Sequence, residues 1–198
     1  MSGTEFRTVG VEERYRGRST VRIERVRTPQ GIEIEREIVG HDDAVAIVPV
    51  TDAGEVVLLR QYRQALRDHL LEIPAGTLDV EGESPLQGAR RELAEETGYT
   101  ARRFEHLATF DNSAGWTDER THVYLATGLT DGARPDGFVL EDEEADMETV
   151  HRRLDRAIGD ARAGRISDAK TLIGLLLAAE HVEVSSRVDP SGGPPAPH

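Results

Sequence analysis

Three glutamates crowd one short segment of the chain, GARRELAEETGY at residues 88–99. Glu92, Glu95 and Glu96 fall within about one turn of a predicted helix. Like charges at this spacing destabilise an isolated helix by roughly 0.2–0.5 kcal/mol per pair. A hard divalent cation such as Mg²⁺ would offset the repulsion, because it prefers carboxylate and carbonyl oxygens. The alternative is an acidic helix face that is simply exposed to solvent.

The helix that carries these glutamates is predicted to span residues 84–97. Ser84 suits the N-cap, Pro85 suits the first helical position, and Gln87 completes a capping box. Gly98 is placed to end the helix. Both ends of the helix are therefore predicted from residues within its own turns.

The helical period separates the glutamates into two sets. The stripe predicted to face the core consists of Leu86, Ala89, Leu93 and Thr97. Glu92 and Glu96 lie together at the border of that stripe, so two carboxylates are predicted to point toward a semi-buried edge. Glu95 points away from the stripe, where Arg91, one turn earlier, can pair with it.

The longer segment PAGTLDVEGESPLQGARRELAEETGY resembles the signature of the Nudix hydrolases. That signature is a glycine-led loop, a glutamate, seven residues, and then Arg-Glu-apolar-x-Glu-Glu-x-Gly-apolar. Its named positions hold Gly76, Glu83, Arg91, Glu92, Leu93, Glu95, Glu96, Gly98 and Tyr99. Six residues separate Gly76 from Glu83, where the usual pattern has five. The extra residue falls in a loop, so the register of the helix is unchanged.

Other segments resemble the ADP-ribose pyrophosphatase branch of that family, over roughly residues 5–180. They are LLRQYRQAL, LLEIPAG, SAGWTDE, EDEEADM and ISDAKTLIGLLL. The resemblance implies an α+β fold, the α/β/α sandwich of Nudix proteins around a mixed β-sheet, with a small N-terminal antiparallel β-domain. It also implies a homodimer that hydrolyses a small-molecule nucleotide substrate, ADP-ribose, to AMP and ribose 5-phosphate.

The same resemblance implies a set of metal ligands. Glu92 and Glu96 would bind Mg²⁺, for which Mn²⁺ can substitute, together with the backbone carbonyl of Ala75. Glu95 and Glu83 would be auxiliary ligands or would support the ligands through hydrogen bonds.

Hydrolysis of a diphosphate also needs a base that takes a proton from the attacking water. The resemblance locates a catalytic glutamate in the acidic segment VLEDEEADM, where Glu143 is the first choice and Glu144 its rival. Arg91 and Glu95 would assist catalysis by orienting the carboxylates. A solvated acidic loop is the alternative for this segment.

Four further residues are candidates for the substrate pocket. The resemblance implies that Arg63 contacts phosphate or ribose, and a guanidinium can grip phosphate with two hydrogen bonds. Glu72 adjoins the metal loop. Glu119 either completes the metal cluster or lies on the surface. Trp116, the one tryptophan in the chain, either walls the pocket or has a packing role.

One departure from the branch keeps other substrates open. Where the branch usually has a proline in a Ser/Ala-Pro-Gly loop, this chain has Ala114. The same chemistry on another nucleoside diphosphate sugar or on a dinucleotide is the first alternative. A non-catalytic Nudix ligand sensor is the second, and the complete carboxylate set argues against it.

Composition limits the partners of the protein. The 198 residues carry a formal net charge of −13, which argues against a nucleic-acid or anionic-membrane partner. Cysteine is absent, so disulfides and thiol catalysis are excluded. The longest apolar stretch, TLIGLLLAA, is far shorter than the roughly 20 residues that span a bilayer. A cytoplasmic location is expected.

Three regions are predicted along the chain. Residues 1–40 form a β-rich segment for dimerisation or for the substrate pocket, residues 41–182 form the hydrolase domain, and residues 183–198 form a disordered Pro/Gly/Ser-rich tail. Strands are predicted at AVAIVPV, EVVLLRQYR, HLLE, HLATF and THVYLATGL. Helices are predicted at residues 149–164 and from Ser167 onward.

Overall fold

The computed structural model describes residues 5–132, 134–135 and 146–187, except for the side chains of residues 182–187. The strands within this part of the chain are β1 (Arg7–Arg16), β2 (Thr20–Arg27), β3 (Glu33–Gly40), β4 (Ala44–Val50), β5 (Glu55–Arg63), β6 (Asp68–Glu72), β7 (Ala75–Thr77), β8 (Tyr99–Asp111), β9 (Arg120–Asp131) and β10 (Glu148–Arg153). The helices are α1 (Pro85–Thr97), α2 (Leu154–Arg162) and α3 (Ala169–Arg187).

The strands form two separate sheets. β1, β2 and β3 make an antiparallel N-terminal sheet, and a turn with Gly31 at φ 84° joins β2 to β3. The larger sheet has the order β10-β5-β4-β9-β8, with β6 added to β5 and β7 added to β4. β4 runs parallel to β9 and antiparallel to its other partners, so the sheet is mixed. The predicted fold class is confirmed.

β4 divides the core into two layers, because successive side chains of a strand point to opposite faces. Val45 and Ile47 pack in the layer with α1. Ala46 and Val48 pack in the layer with α2 and α3. All four side chains are fully buried, which makes the larger sheet the middle of an α/β/α sandwich.

The ends of α1 are those that the sequence predicts. Ser84 is the N-cap of a complete capping box with Gln87, and Gly98 ends the helix in the left-handed region at φ 77°. The prediction that Leu86 faces the core is wrong, since Leu86 is 37% exposed. The buried stripe of α1 is centred on Ala89, Glu92, Leu93 and Glu96 instead, and Leu86 lies about a quarter-turn away from it.

The helix predicted at residues 149–164 is a strand followed by a shorter helix. β10 pairs with β5, where Thr149 lies opposite Leu59, and α2 begins only at Leu154. Pairing with a distant strand satisfies this backbone, which the local residue pattern does not reveal. The N-cap of α3 is likewise Asp168 rather than Ser167, because the Asp168 carboxylate accepts the Thr171 N–H at 2.9 Å.

The end of α3 extends past the predicted boundary at residue 182. The helix runs to Arg187, and residues 188–198 of the predicted tail lie outside the described residues. No helix within the described ranges is long and apolar enough to cross a membrane.

The N-terminal sheet is fastened to the loop before β9. Val39 of β3 donates its N–H to the Trp116 carbonyl at 2.9 Å. Arg22 of β2 pairs with Asp118 at 2.9 Å, and the His41 N–H donates to the same carboxylate at 3.4 Å. The position of this loop therefore depends on the N-terminal sheet.

Candidate active site

A cavity of about 400 Å³ opens beside β7 and the first residues of α3. The three residues of β7, Ala75, Gly76 and Thr77, form part of its wall. Four charged side chains among the described residues also line it, Arg63, Glu119, Asp168 and Lys170. Cationic and acidic groups therefore face the same space.

Glu92 lies directly against the backbone of Gly76, which leaves no room for a side chain at that position. A Cβ on Gly76 would stand 2.0 Å from the Glu92 carboxyl carbon. Glu96 accepts a hydrogen bond from the Ala75 N–H at 2.9 Å. Glu92 is 9% exposed and Glu96 is 6% exposed, so the prediction that these two carboxylates point inward is confirmed. Both reach the strand that lines the cavity.

Arg91 is the cation that bonds three of the carboxylates around α1, namely Glu83, Glu92 and Glu95. Its Nε and Nη2 donate to the two oxygens of Glu83 at 3.0 and 2.9 Å. Its Nη1 donates to Glu92 at 2.5 Å and to Glu95 at 3.2 Å, and Nη2 also reaches the Thr77 carbonyl. The hydrogen bond with Glu83 is the main cause that raises the pKa of Arg91, so this guanidinium stays charged.

This arrangement accounts for the crowded glutamates. Arg91 lies among three of the carboxylates and offsets their repulsion. Within the described part of the chain, no three carboxylate or imidazole groups converge on one point as a complete metal site. The donor set still suits a hard divalent cation, because Glu92 and Glu96 bring carboxylate oxygens to a backbone that Gly76 keeps open.

Glu72 is a fully buried carboxylate between two cations. Arg63 donates two hydrogen bonds to it at 2.8 and 2.7 Å, and Lys170 donates a third at 2.5 Å. Burial would raise the pKa of Glu72, but the bonds from Arg63 and the charge of Lys170 outweigh burial and lower it from the ordinary value of 4.5. Glu72 thus stays ionised and anchors both cations beside the cavity.

Two predicted pocket residues lie in the loop before β9. Glu119 lines the cavity, with its carboxylate 3.7 Å from Nδ1 of His41. Trp116 is 54% exposed and is not among the described residues that line the cavity. The fold brings Glu119 to the cavity wall and leaves the indole at the surface of this chain.

Comparisons with known proteins agree with this geometry. The model of the NUDIX domain family matches residues 40–167. A methanol dehydrogenase activator of Bacillus methanolicus is 37% identical over 172 residues, which cover 86% of this chain and 91% of that protein. An ADP-ribose pyrophosphatase of Bacillus subtilis (strain 168) is 37% identical over 177 residues, again 86% of this chain and 91% of that protein.

The chain belongs to the Nudix family. The crystal structure of an ADP compounds hydrolase has the same fold, with a TM-score of 0.79 at 23% identity over 93% of this chain and 97% of that one. Nudix ADP-ribose pyrophosphatases generally need a divalent metal ion. The Nudix helix of this protein is α1, and β7 is the strand that its inward carboxylates meet.

Sequence reasoning did not assign two charged residues of this Nudix site, Asp168 and Lys170. Both belong to the segment SDAK at the start of α3. A usable signal was present, because Lys170 is the only lysine in the chain. The predicted bases Glu143 and Glu144 lie outside the described residues.

Proposed function

We propose that this protein hydrolyses the diphosphate bond of ADP-ribose, with Mg²⁺, to give AMP and ribose 5-phosphate. The observation that carries the proposal is the pair of buried carboxylates, Glu92 and Glu96, held against β7 beside a cavity of about 400 Å³. A relative that matches most of both chains and is named an ADP-ribose pyrophosphatase supports the choice of substrate.

In this proposal Glu92, Glu96 and the carbonyl oxygen of Ala75 hold the cation. The cation would neutralise phosphate oxygens and lower the pKa of an attacking water. Because Gly76 has no side chain, the Glu92 carboxylate can come close to the backbone that carries the third ligand. Glu96 is oriented by the N–H of the same residue, Ala75.

Arg91 has a positioning role in the proposal. Its two bonds to Glu83 leave Nη1 to orient Glu92 and Glu95. A planar guanidinium suits this task because its donors have a fixed geometry. Glu83 and Glu95 then serve as auxiliary groups that keep Arg91 in place.

Arg63 and Glu119 are the proposed contacts to the substrate. Glu72 takes Nε and Nη2 of Arg63, and no described residue accepts from Nη1, which remains available for a phosphate or ribose oxygen. Glu119 offers a carboxylate on the cavity wall, suited to a ribose hydroxyl or to a second cation. Trp116 can contribute a stacking surface only if its loop or a second copy of the chain brings it to the nucleotide.

The base is proposed from the sequence alone. Glu143, or its neighbour Glu144, takes the proton of the attacking water. A carboxylate outside α1 suits this role, because those in α1 are committed to the cation and to Arg91.

A substrate panel tests the proposal. The purified protein is incubated with ADP-ribose, other nucleoside diphosphate sugars, NADH and diadenosine polyphosphates, with and without Mg²⁺, and the products are separated by chromatography. We expect AMP and ribose 5-phosphate from ADP-ribose only when Mg²⁺ is present. Turnover in excess chelator would contradict the metal mechanism, and preference for a sugar nucleotide without adenine would contradict the substrate.

The variant Glu96→Gln tests the site itself. The amide oxygen of glutamine can still accept the Ala75 N–H, and a buried charge is removed, so we expect the Tm without metal to be unchanged or higher. Activity should fall at least about 100-fold, because the cation that Glu96 helps to hold would supply several kcal/mol of charge stabilisation. Glu81→Gln, on an exposed residue of the preceding loop, is the matched control with normal activity.

We also propose a homodimer built on the N-terminal sheet. β1 exposes Val9, Val11 and Tyr15, which are 41%, 62% and 60% exposed, and a dimer interface would cover exposed apolar side chains of this kind. Light scattering should give twice the chain mass of 21.8 kDa. Val11→Glu should give the monomer mass, whereas Val80→Glu, on an exposed residue of the hydrolase domain, should not.

A further inference from the structure

The one lysine of this protein lies on the wall of the cavity. Of the 24 lysine and arginine residues in the chain, only Lys170 is a lysine. The other cationic residue that lines the cavity, Arg63, is an arginine. The chain therefore has a compact ammonium group at a single position, and that position faces the site.

Two carboxylates hold the Lys170 ammonium. Nζ donates to Glu72 at 2.5 Å and to Asp168 at 2.8 Å. Asp168 is itself fixed, because it accepts the Thr171 N–H at 2.9 Å and the Thr171 hydroxyl at 2.5 Å. An ammonium has three donor hydrogens, and the described residues supply only these two acceptors. Within the described part of the chain, one donor of Lys170 is thus left for a ligand.

Arg63 and Lys170 share one buried partner and both lie on the cavity wall. Both donate to the buried Glu72, Arg63 with two bonds and Lys170 with one. Both line the cavity, and each keeps at least one donor that no described residue accepts. Because Glu72 is only 1% exposed, it orients the two cations from beneath and does not itself occupy the cavity surface.

We infer that Lys170 is a substrate-binding residue that donates a hydrogen bond to an anionic oxygen of the substrate's diphosphate. The inference rests on the proposed function, in that it takes a diphosphate as the ligand of this cavity. Glu72 and Asp168 act as positioning residues for it. The ammonium is compact and has three donors, so it can bond two carboxylates and still present a donor.

The competing reading is that Lys170 only ties the start of α3 to β6. Both roles predict that loss of the charge lowers stability, since the variant leaves Glu72 and Asp168 with fewer partners. They differ in what happens to the substrate. A purely structural lysine makes no bond to the substrate, so its removal should change the KM of the folded enzyme little.

The first measurement compares Lys170→Met with a charge-matched control. Arg165→Met also removes one positive charge near α3, but Arg165 is 64% exposed, pairs with Asp160 and does not line the cavity. For Lys170→Met we expect the KM for ADP-ribose to rise about 10- to 100-fold, the loss of a hydrogen bond to a charged group, with kcat changed far less. A KM within twofold of that of Arg165→Met overturns the inference.

The second measurement needs no variant, so it holds even if Lys170→Met fails to fold. Wild-type protein grown with ¹³C-labelled lysine has one lysine side chain to observe by NMR. The probe is an ADP-ribose analogue with a methylene group in place of the bridging oxygen, which cannot be hydrolysed there. We expect the Cε resonance of Lys170 to shift as the analogue saturates the protein. An unchanged resonance at saturation overturns the inference.

The two proposals fail in different ways. If wild-type protein does not hydrolyse ADP-ribose, the proposed function fails, whatever the lysine does. Whether Lys170 binds an anion is then tested by NMR with inorganic pyrophosphate and ribose 5-phosphate as probes. A shift of its Cε resonance supports an anion-binding lysine, and no shift overturns it. If wild-type protein is active but Lys170→Met behaves like the control, only the inference about Lys170 fails.

Discussion

Replacing Gly76 with alanine tests whether the Glu92 carboxylate needs the space beside β7. Gly76 has no left-handed backbone conformation that would by itself require glycine. The Cβ of alanine would instead stand 2.0, 2.1 and 2.3 Å from the three terminal atoms of Glu92, whereas real Cβ contacts essentially never fall under 3.0 Å. Glu92 must therefore retreat by about 1 Å or more, and its 2.5 Å bond to Arg91 cannot persist unchanged.

Two effects of different size follow from that displacement. Overpacking of a buried site costs about 1–3 kcal/mol, and for a chain of this length each kcal/mol lowers the Tm by about 2–4 °C. The loss of activity should be more pronounced than the loss of stability, because a misplacement of about 1 Å in a catalytic group can lower the rate about 100-fold. We expect Gly76→Ala to stay folded, with a modestly lower Tm and kcat/KM reduced about 100-fold.

Gly115→Ala is the matched control. Apart from its chain neighbours, no described residue has an atom within 4 Å of the Cβ that this change would add, and Gly115 is also outside the left-handed region. Thermal unfolding and initial rates with ADP-ribose are measured for both variants. If Gly76→Ala keeps a rate within about threefold of Gly115→Ala, the close approach of Glu92 to Gly76 does not matter for catalysis and the reasoning is refuted.

Three further predictions concern acid stability, the loop before β9 and the base. The pKa of Glu72 is lowered in the folded protein, so the stability that Glu72 contributes is present above about pH 4.5 and is lost as the pH falls below that value. The Tm should therefore fall more steeply between about pH 5 and pH 3 in the wild type than in Glu72→Gln. Equal slopes of Tm against pH would contradict this. Asp118→Asn removes the charge that ties the loop before β9 to Arg22 of the N-terminal sheet. The fluorescence of Trp116, the only tryptophan, should then change, and the KM for ADP-ribose should rise. An unchanged spectrum and KM would show that the loop does not depend on this charge. Glu143→Gln and Glu144→Gln separate the two candidate bases, and at least one should lower kcat by about 100-fold or more without changing the Tm; full activity in both would exclude this acidic segment.

The helix that bears the glutamates was predictable because its signals are local. Ser84, Gln87 and Gly98 act on backbone groups within a turn of themselves, and the structure has the predicted cap at each end. The inward direction of Glu92 and Glu96 follows from the helical period in the same way. The prediction for Leu86 failed because a period defines a stripe but not how far the sheet beneath it extends.

Predictions that depended on distant partners were less successful. Residues 149–153 look helical by themselves and become β10 because β5 offers an edge to pair with. The importance of Lys170 is invisible in its own neighbourhood, since its partner Glu72 lies 98 residues earlier in the chain. The same holds for the loop of Trp116, which is fixed by a bond from Val39 of the N-terminal sheet.

The sequence by itself determined the family, the bounds of α1 and the carboxylates that face inward, because these depend on residue types at fixed short spacings. Only the tertiary structure decided which cations offset those carboxylates and which charges share the cavity. Arg91 meets Glu83 across a loop, and Arg63, Glu72 and Lys170 meet across two strands and a helix. Such contacts depend on sheet register and on how much surface each element buries, and neither quantity is contained in a local pattern of residues.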